Sequence, residues 1–203
     1  MNLQKTYDTI AKHWHQDHAQ DTWWIDGINK FISFLSPGNS VLDVGCGTGV
    51  KAKYLVDHGL KVIGIDFSKE MIAVAKKEVP SATFYVMDME QVGELRENFD
   101  AVFAQASLLH IPKTKVALVL GGLKEKLKPG GYMYVAVKEV KSGGPEEEIK
   151  KESDYGFEYE RFFSYFAPEE IRSDLQDVGL EICYESVIQS GKTNWIQIIG
   201  RKI

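Results

Sequence analysis

The sequence predicts an α/β chain built on a mostly parallel β-sheet and finished by an antiparallel hairpin. Three observations carry this reading. A short apolar run, Val41 to Val44, opens into glycines at 45, 47 and 49 and then into a helical stretch, which is the strand–turn–helix of a parallel unit. Four further apolar runs, at 61–65, 82–87, 99–104 and 132–137, alternate with helical segments. The last stretch holds two alternating strands joined across Ser190-Gly191-Lys192.

Composition agrees. Of 203 residues, 44% are hydrophobic and 26% charged, ordinary values for a folded chain with a sizeable core. A net charge of −5 gives no basic face, so nucleic acid is not an expected partner. No apolar run approaches the roughly 20 residues of a membrane span, and no hydrophobic signal region opens the chain. Cys46 and Cys183 form no closely spaced pair, so the reading is of a reduced, soluble protein of the cytoplasm.

In order, residues 3–35 read as two helices interrupted near His18 to Asp21. His13, His15 and His18 cluster there, but without the defined ligand spacing of a zinc site, and no metal is expected. Ser36 to Asn39 is a turn into the central strand. The glycine run after that strand lets the backbone take φ > 0 and lets a ligand lie against it, and the helix start beyond offers free N–H groups. Lys61 to Ile65 is the second strand, ending at Asp66, where a carboxylate is placed to accept both hydroxyls of a ribose. A helix over 68–79 is closed by Pro80, and Ser68 fits its N-cap. Strand three spans 82–87 and strand four 99–104. A helix over 113–128 meets the turn Pro129-Gly-Gly131, and strand five covers 132–137. Residues 138–167 are first charged, then crowded with aromatic rings. A helix over 168–178 precedes the terminal hairpin at 181–189 and 193–201.

The stretch Asp43-Val-Gly-Cys-Gly-Thr-Gly49, the acid at Asp66 and the run Leu127-Lys-Pro-Gly-Gly131 together closely resemble the class I S-adenosylmethionine-dependent methyltransferases, in particular those acting on small molecules. The resemblance spans about residues 36–202. It implies a Rossmann-like three-layer sandwich with a seven-stranded, mostly parallel sheet, a C-terminal antiparallel hairpin and an N-terminal helical cap. The whole chain, 1–203, then reads as a single methyltransferase domain, with 1–35 as a cap or lid and 138–167 as an insertion over the cleft. It further implies S-adenosylmethionine as cofactor, its methionine end on Asp43, Gly45, Cys46, Gly47 and Gly49. The ribose falls to Asp66, and the adenine to Phe67, Met71, Asp88 and Met89. For Asp88 the competing reading is a turn aspartate that bonds its own backbone.

Ala104 and Gln105 end strand four, beside the point where ligands lie in open α/β sheets. The loop from Ser107 to Pro112 resembles that of small-molecule enzymes. It contains His110, the candidate general base if the acceptor attacks in protonated form. Tyr7, Trp14, Ser107, Tyr155 and Phe163 are candidates to cover the ligands or wall an apolar or planar acceptor, against the bland reading that the rings are core. The expected function is in-line methyl transfer to a small molecule. A cofactor-binding sensor without turnover shares every one of these features. A nicotinamide-dependent oxidoreductase shares only the first unit, and the G-x-G-x-G spacing and the terminal hairpin argue against it.

Overall fold

The computed structural model describes residues 2–203. Among the described residues nine strands and six α-helices form: α1 (Leu3–His18), α2 (Ile25–Ile32), β1 (Ser40–Val44), α3 (Val50–Asp57), β2 (Lys61–Asp66), α4 (Lys69–Glu78), β3 (Thr83–Val86), β4 (Phe99–Gln105), α5 (Lys113–Glu125), β5 (Leu127–Lys138), β6 (Glu147–Glu152), β7 (Tyr159–Ser164), α6 (Pro168–Asp177), β8 (Leu180–Ser190) and β9 (Thr193–Lys202). Seven strands make one sheet in the order β3-β2-β1-β4-β5-β9-β8. The pairs among β1 to β5 are parallel, and β9 runs antiparallel to both its neighbours. The expected seven-stranded, mostly parallel sheet with an antiparallel hairpin is what forms.

Helices cover both faces, giving three layers. On one face α2, α3 and α4 bury Ile28, Phe31, Leu55 and Ile72 against Val41, Phe103 and Tyr134. On the other, α5 and α6 bury Leu120, Leu123, Ile171 and Leu175 against Leu42, Val102 and Val135. Because both faces are covered, the central strands are near-continuous apolar runs, broken by few polar residues, rather than alternating.

Helix α1 lies apart from these layers, against α4 and β7. Its N-cap is Asn2, whose side chain accepts from the Lys5 N–H at 2.9 Å. It is tied to α4 by Asp8, which accepts from the Ser68 hydroxyl at 2.7 Å and the Glu70 N–H at 3.2 Å. Gln4 Nε2 donates to the Phe67 carbonyl at 2.8 Å, and the Thr6 hydroxyl donates to the Glu160 carbonyl at 3.0 Å.

Two local expectations are corrected. Strand five begins at Leu127, because Leu127 is buried and pairs with Phe99. The next pairing is Ala101 with Tyr132, so residues 128–131 loop out of the ladder, and helix α5 ends at Glu125. Within 138–167, β6 and β7 pair as a separate two-stranded hairpin, with Glu152 opposite Tyr159 and Glu147 opposite Ser164.

Candidate functional site

The connections reverse between β1 and β4, and the cleft of about 520 Å³ opens at the carboxyl ends of these strands. Its floor is the glycine loop. Gly45 and Gly47 stand at φ +67° and +53°, the left-handed region. A Cβ on Gly45 would lie 2.5 Å from the Ser107 Cβ, so glycine is what lets the loop touch the β4 turn. A Cβ on Gly47 would meet nothing within 4 Å, because that face opens on the cleft. Gly49, expected to meet the cofactor, instead starts α3 and packs toward Ala75, whose Cβ is 3.1 Å from where its own would be. It does not border the cleft.

Three buried polar side chains border this space without partners among the described residues: Asp43 through Oδ2, Gln105 through both amide atoms, and Ser107 through its hydroxyl. Buried polar groups in folded chains are nearly always paired. Three orphans on one cleft therefore mark a place built for a polar ligand. Burial pushes the Asp43 carboxyl up to about 7, with Lys51 lowering it and Asp66 raising it further. Asp66 is better satisfied. It accepts from the Ser68 N–H at 2.8 Å and from the Gly47 N–H at 3.0 Å, so the second-strand acid also shapes the glycine loop. Burial still pushes Asp66 up to about 6, against those two bonds. Between Gln105 and Ser107, Ala106 stands at φ +56°, a strained conformation for a residue with a Cβ and one that clusters at functional sites.

Phe67, Met71 and Met89 border the cleft, as does Cys46, whose buried thiol is pushed up by burial and by Asp43 and Asp66 and is no nucleophile. Asp88 does not border it. Its Oδ1 accepts from the Glu90 N–H at 2.9 Å and caps a short 3-10 turn, the turn role weighed against adenine binding. Ala104 is fully buried among Leu42, Val102 and Val135, so it is core rather than cleft wall.

The cap contributes Tyr7 and Trp14. The Tyr7 hydroxyl lies 2.7 Å from His110 Nε2, and His110 Nδ1 lies 2.8 Å from the Phe162 carbonyl. A carbonyl only accepts, so Nδ1 carries the proton and Nε2 accepts from Tyr7. Burial pushes the imidazole down to about 3, Arg161 and Lys138 lower it further, and the Phe162 bond opposes them. His110 is thus neutral with both nitrogens engaged, and it orients Tyr7. The expectation of a general base at His110 is corrected on this geometry. The other histidines go separate ways: His15 Nδ1 meets the Thr48 hydroxyl of the glycine loop at 3.0 Å, His18 pairs with Asp21 at 2.8 Å, and His13 stacks on Tyr155.

Beside Tyr155 and Phe163, which the sequence marks as candidates, the far half of the cleft holds residues the sequence did not single out. Arg161 of β7 is clasped by Glu152, with the Nη2 to Oε1 bond at 2.6 Å, and its guanidinium lies 5.0 Å from the ring centres of both Trp14 and Phe163. Trp23 and Trp195 stack at 4.3 Å. Lys138, at the end of β5, lies 4.1 Å over Phe163. Tyr155 stacks on Tyr159 at 5.5 Å. Lys138 directly follows an apolar strand, a signal in plain view; Arg161 sits in a charged hairpin that reads like any solvated edge.

Residues 41–131 match the methyltransferase-domain family. An uncharacterized methyltransferase of Synechocystis is 34% identical over 97 residues, covering 48% of this chain and 46% of that protein. A demethylmenaquinone methyltransferase of Renibacterium salmoninarum is 36% identical over 100 residues, covering 49% and 41%. The chain thus spans about half the length of the curated relatives it matches. Among solved structures, an S-adenosylmethionine-dependent methyltransferase of Methanosarcina mazei superposes with a TM-score of 0.75 at 22% identity, covering 86% of this chain and 97% of that one. A 1,6-didemethyltoxoflavin-N1-methyltransferase of Burkholderia thailandensis, solved with bound 1,6-didemethyltoxoflavin and S-adenosylhomocysteine, gives a TM-score of 0.77 at 17% identity, covering 98% and 87%. A [4+2]-cyclase gives 0.72 at 17% identity, covering 98% and 95%, so the fold by itself does not name a reaction. This chain has the fold shared by class I S-adenosylmethionine-dependent methyltransferases. In sequence, the likeness to the methyltransferase-domain family lies in residues 41–131.

Proposed function

We propose that this protein transfers the methyl group of S-adenosylmethionine to a small-molecule acceptor. The observation that carries the reading is the set of unpartnered buried groups, Asp43, Gln105 and Ser107, on the cleft onto which Gly47 opens. These residues suit the cofactor: a carboxyl poised near 7 ionises readily opposite a cation, and open backbone at a glycine turn accepts a close ligand. In this reading Asp43, Gly45, Cys46 and Gly47 hold the methionine end, Asp66 the ribose, and Phe67, Met71 and Met89 the adenine.

When bound, the cofactor supplies a methyl group already activated on a sulfonium. The chain's work is then alignment and exclusion of water, and proximity of this kind contributes roughly 7–11 kcal/mol. With His110 neutral and fully engaged, the cleft favours an acceptor that reaches the site already nucleophilic. Tyr7, Trp14, Tyr155 and Phe163 cover the ligands, and residues 1–35 and 138–167 act as lid and insertion of one catalytic domain. The compartment that fits is the reducing cytoplasm, given the free, exposed thiol of Cys183. No helix among the described residues is long and apolar enough to cross a membrane. A small molecule, rather than nucleic acid or a lipid surface, is the partner.

Calorimetric titration with S-adenosylmethionine and S-adenosylhomocysteine tests the cofactor, and release of S-adenosylhomocysteine across a panel of small acceptors tests the transfer. Micromolar binding of both and turnover on a panel member are expected. Absence of binding to either would refute the assignment, and tight binding without turnover on any acceptor would leave a sensor or a different reaction in its place.

A further inference from the structure

We infer that the half of the cleft beyond the glycine loop takes a flat acceptor bearing a carboxylate, its anion on Lys138 and its ring against the stacked Trp23 and Trp195. This deepens the methyltransferase reading and rests on it. Most charged side chains around this half of the cleft have a partner already. Arg161 has Glu152, Asp21 has His18, and Asp154 accepts from the Tyr159 hydroxyl at 3.1 Å. Lys138 has none: among the described residues no carboxylate comes within 4.0 Å of its ammonium, which lies over the Phe163 ring at 4.1 Å and the Trp195 ring at 5.6 Å.

Burial and the neighbouring cations Arg161 and Lys150 push Lys138 down to about 8, while Glu152 and Glu148 pull the other way. A half-buried cation beside aromatic faces and two other cations, with no carboxylate in bonding range, is costly to leave unpaired. An anion from the ligand removes that cost; a neutral or cationic acceptor leaves it in place. The wall beside it is apolar and flat, with Trp195 nearly buried and its ring stacked 21° from that of Trp23. A cation at the rim of a flat aromatic wall matches a planar acid, because the ring buries apolar area while the carboxylate forms a charge-assisted bond.

The cofactor's own carboxylate is the rival occupant. Lys138 ends β5, two strands from the glycine loop that follows β1, with β4 between, whereas Lys51 lies beside Asp43 in the cofactor half. The test uses 2-naphthoate and its uncharged isostere 2-naphthamide as probes, titrated calorimetrically into protein loaded with S-adenosylhomocysteine and into unloaded protein. Wild type is expected to bind the acid at least tenfold tighter than the amide. That preference falls to near unity in Lys138→Met and returns in Lys138→Arg, with the affinity for S-adenosylhomocysteine and the melting temperature unchanged in both variants. Equal binding of acid and amide, binding of neither, or a preference that survives Lys138→Met overturns the proposal. So does a parallel loss of S-adenosylhomocysteine affinity in Lys138→Met with the fold intact, which would assign Lys138 to the cofactor. Failure of wild type to bind S-adenosylhomocysteine at all is a separate result; it strikes the methyltransferase reading, while the acid–amide comparison is still read on the unloaded protein.

Discussion

Asp43→Asn separates the stability of the empty protein from its affinity for cofactor. In the folded protein burial lifts this carboxyl from its ordinary 3.8 to about 7. Between those values the folded chain keeps a proton that the unfolded chain has released, so the carboxyl's contribution to stability falls as pH rises through the window. Asparagine has the same shape and no charge to desolvate. Taking each factor of ten as 1.36 kcal/mol, the gain from Asp43→Asn grows by about 2–3 kcal/mol between pH 5 and pH 8. For a chain of this size that is about 5–10 °C in melting temperature. The assay is thermal unfolding of ligand-free wild type and variant at both pH values, read as the difference of differences so that other titrating groups cancel. The same variant should bind S-adenosylhomocysteine ten- to a hundred-fold more weakly, since a charge-assisted bond is worth ~1.5–3 kcal/mol. A stability gap that does not grow with pH, or a variant less stable than wild type at pH 8, would refute the claim that Asp43 is held dry and unpaired.

Asp66→Ala removes the acceptor of the Gly47 and Ser68 N–H bonds as well as the proposed ribose contact, so S-adenosylhomocysteine affinity should drop about ten- to a hundred-fold or more; unchanged affinity by calorimetry would sink the assignment. Gly47→Ala should abolish cofactor binding while lowering the melting temperature by only a few degrees, in line with ~1–2 kcal/mol of left-handed backbone strain. Gly45→Ala adds a collision with Ser107 and should melt far lower, and equal melting of the two would contradict the packing described. In an imidazole nitrogen NMR titration, His110 should stay neutral with its proton on Nδ1 from pH 5 to 8. Its depressed value means that the unfolded chain takes up a proton first, so its contribution to stability declines as pH falls below 6.5. A midpoint near 6.5 for His110 would show that its two hydrogen bonds do not hold.

The strands and helices that a reader can find in the chain are those whose burial follows a period. Val41–Val44 and Phe99–Ala104 are buried on both faces, and their apolar runs announce it. The hairpin of β6 and β7 is not legible, because β6 is Glu-Glu-Ile-Lys-Lys-Glu with one side half-buried and the other open, and its apolar content never alternates. The site divides the same way. Glycines and strand-end acids leave marks in sequence because backbone geometry demands them, whereas Arg161 and Lys138 acquire their setting only from rings brought in by α1, the hairpin and β9. Asp88 shows the limit of inference by position. An acid after strand three suits an adenine and suits a turn equally, and only the bond to Glu90 decides for the turn.

Helix α1 touches both halves of the cleft at once, through His15 on Thr48, Gln4 on Phe67 and Asp8 on Ser68 at one end of the matter, and through Thr6 on Glu160 and Tyr7 on His110 at the other. A ligand that orders this helix from the cofactor side leaves less to be ordered by one arriving from the acceptor side. In the proposed reading the two molecules would be heterotropic partners, each tightening the other by the same factor, without any contact between them being needed to account for it.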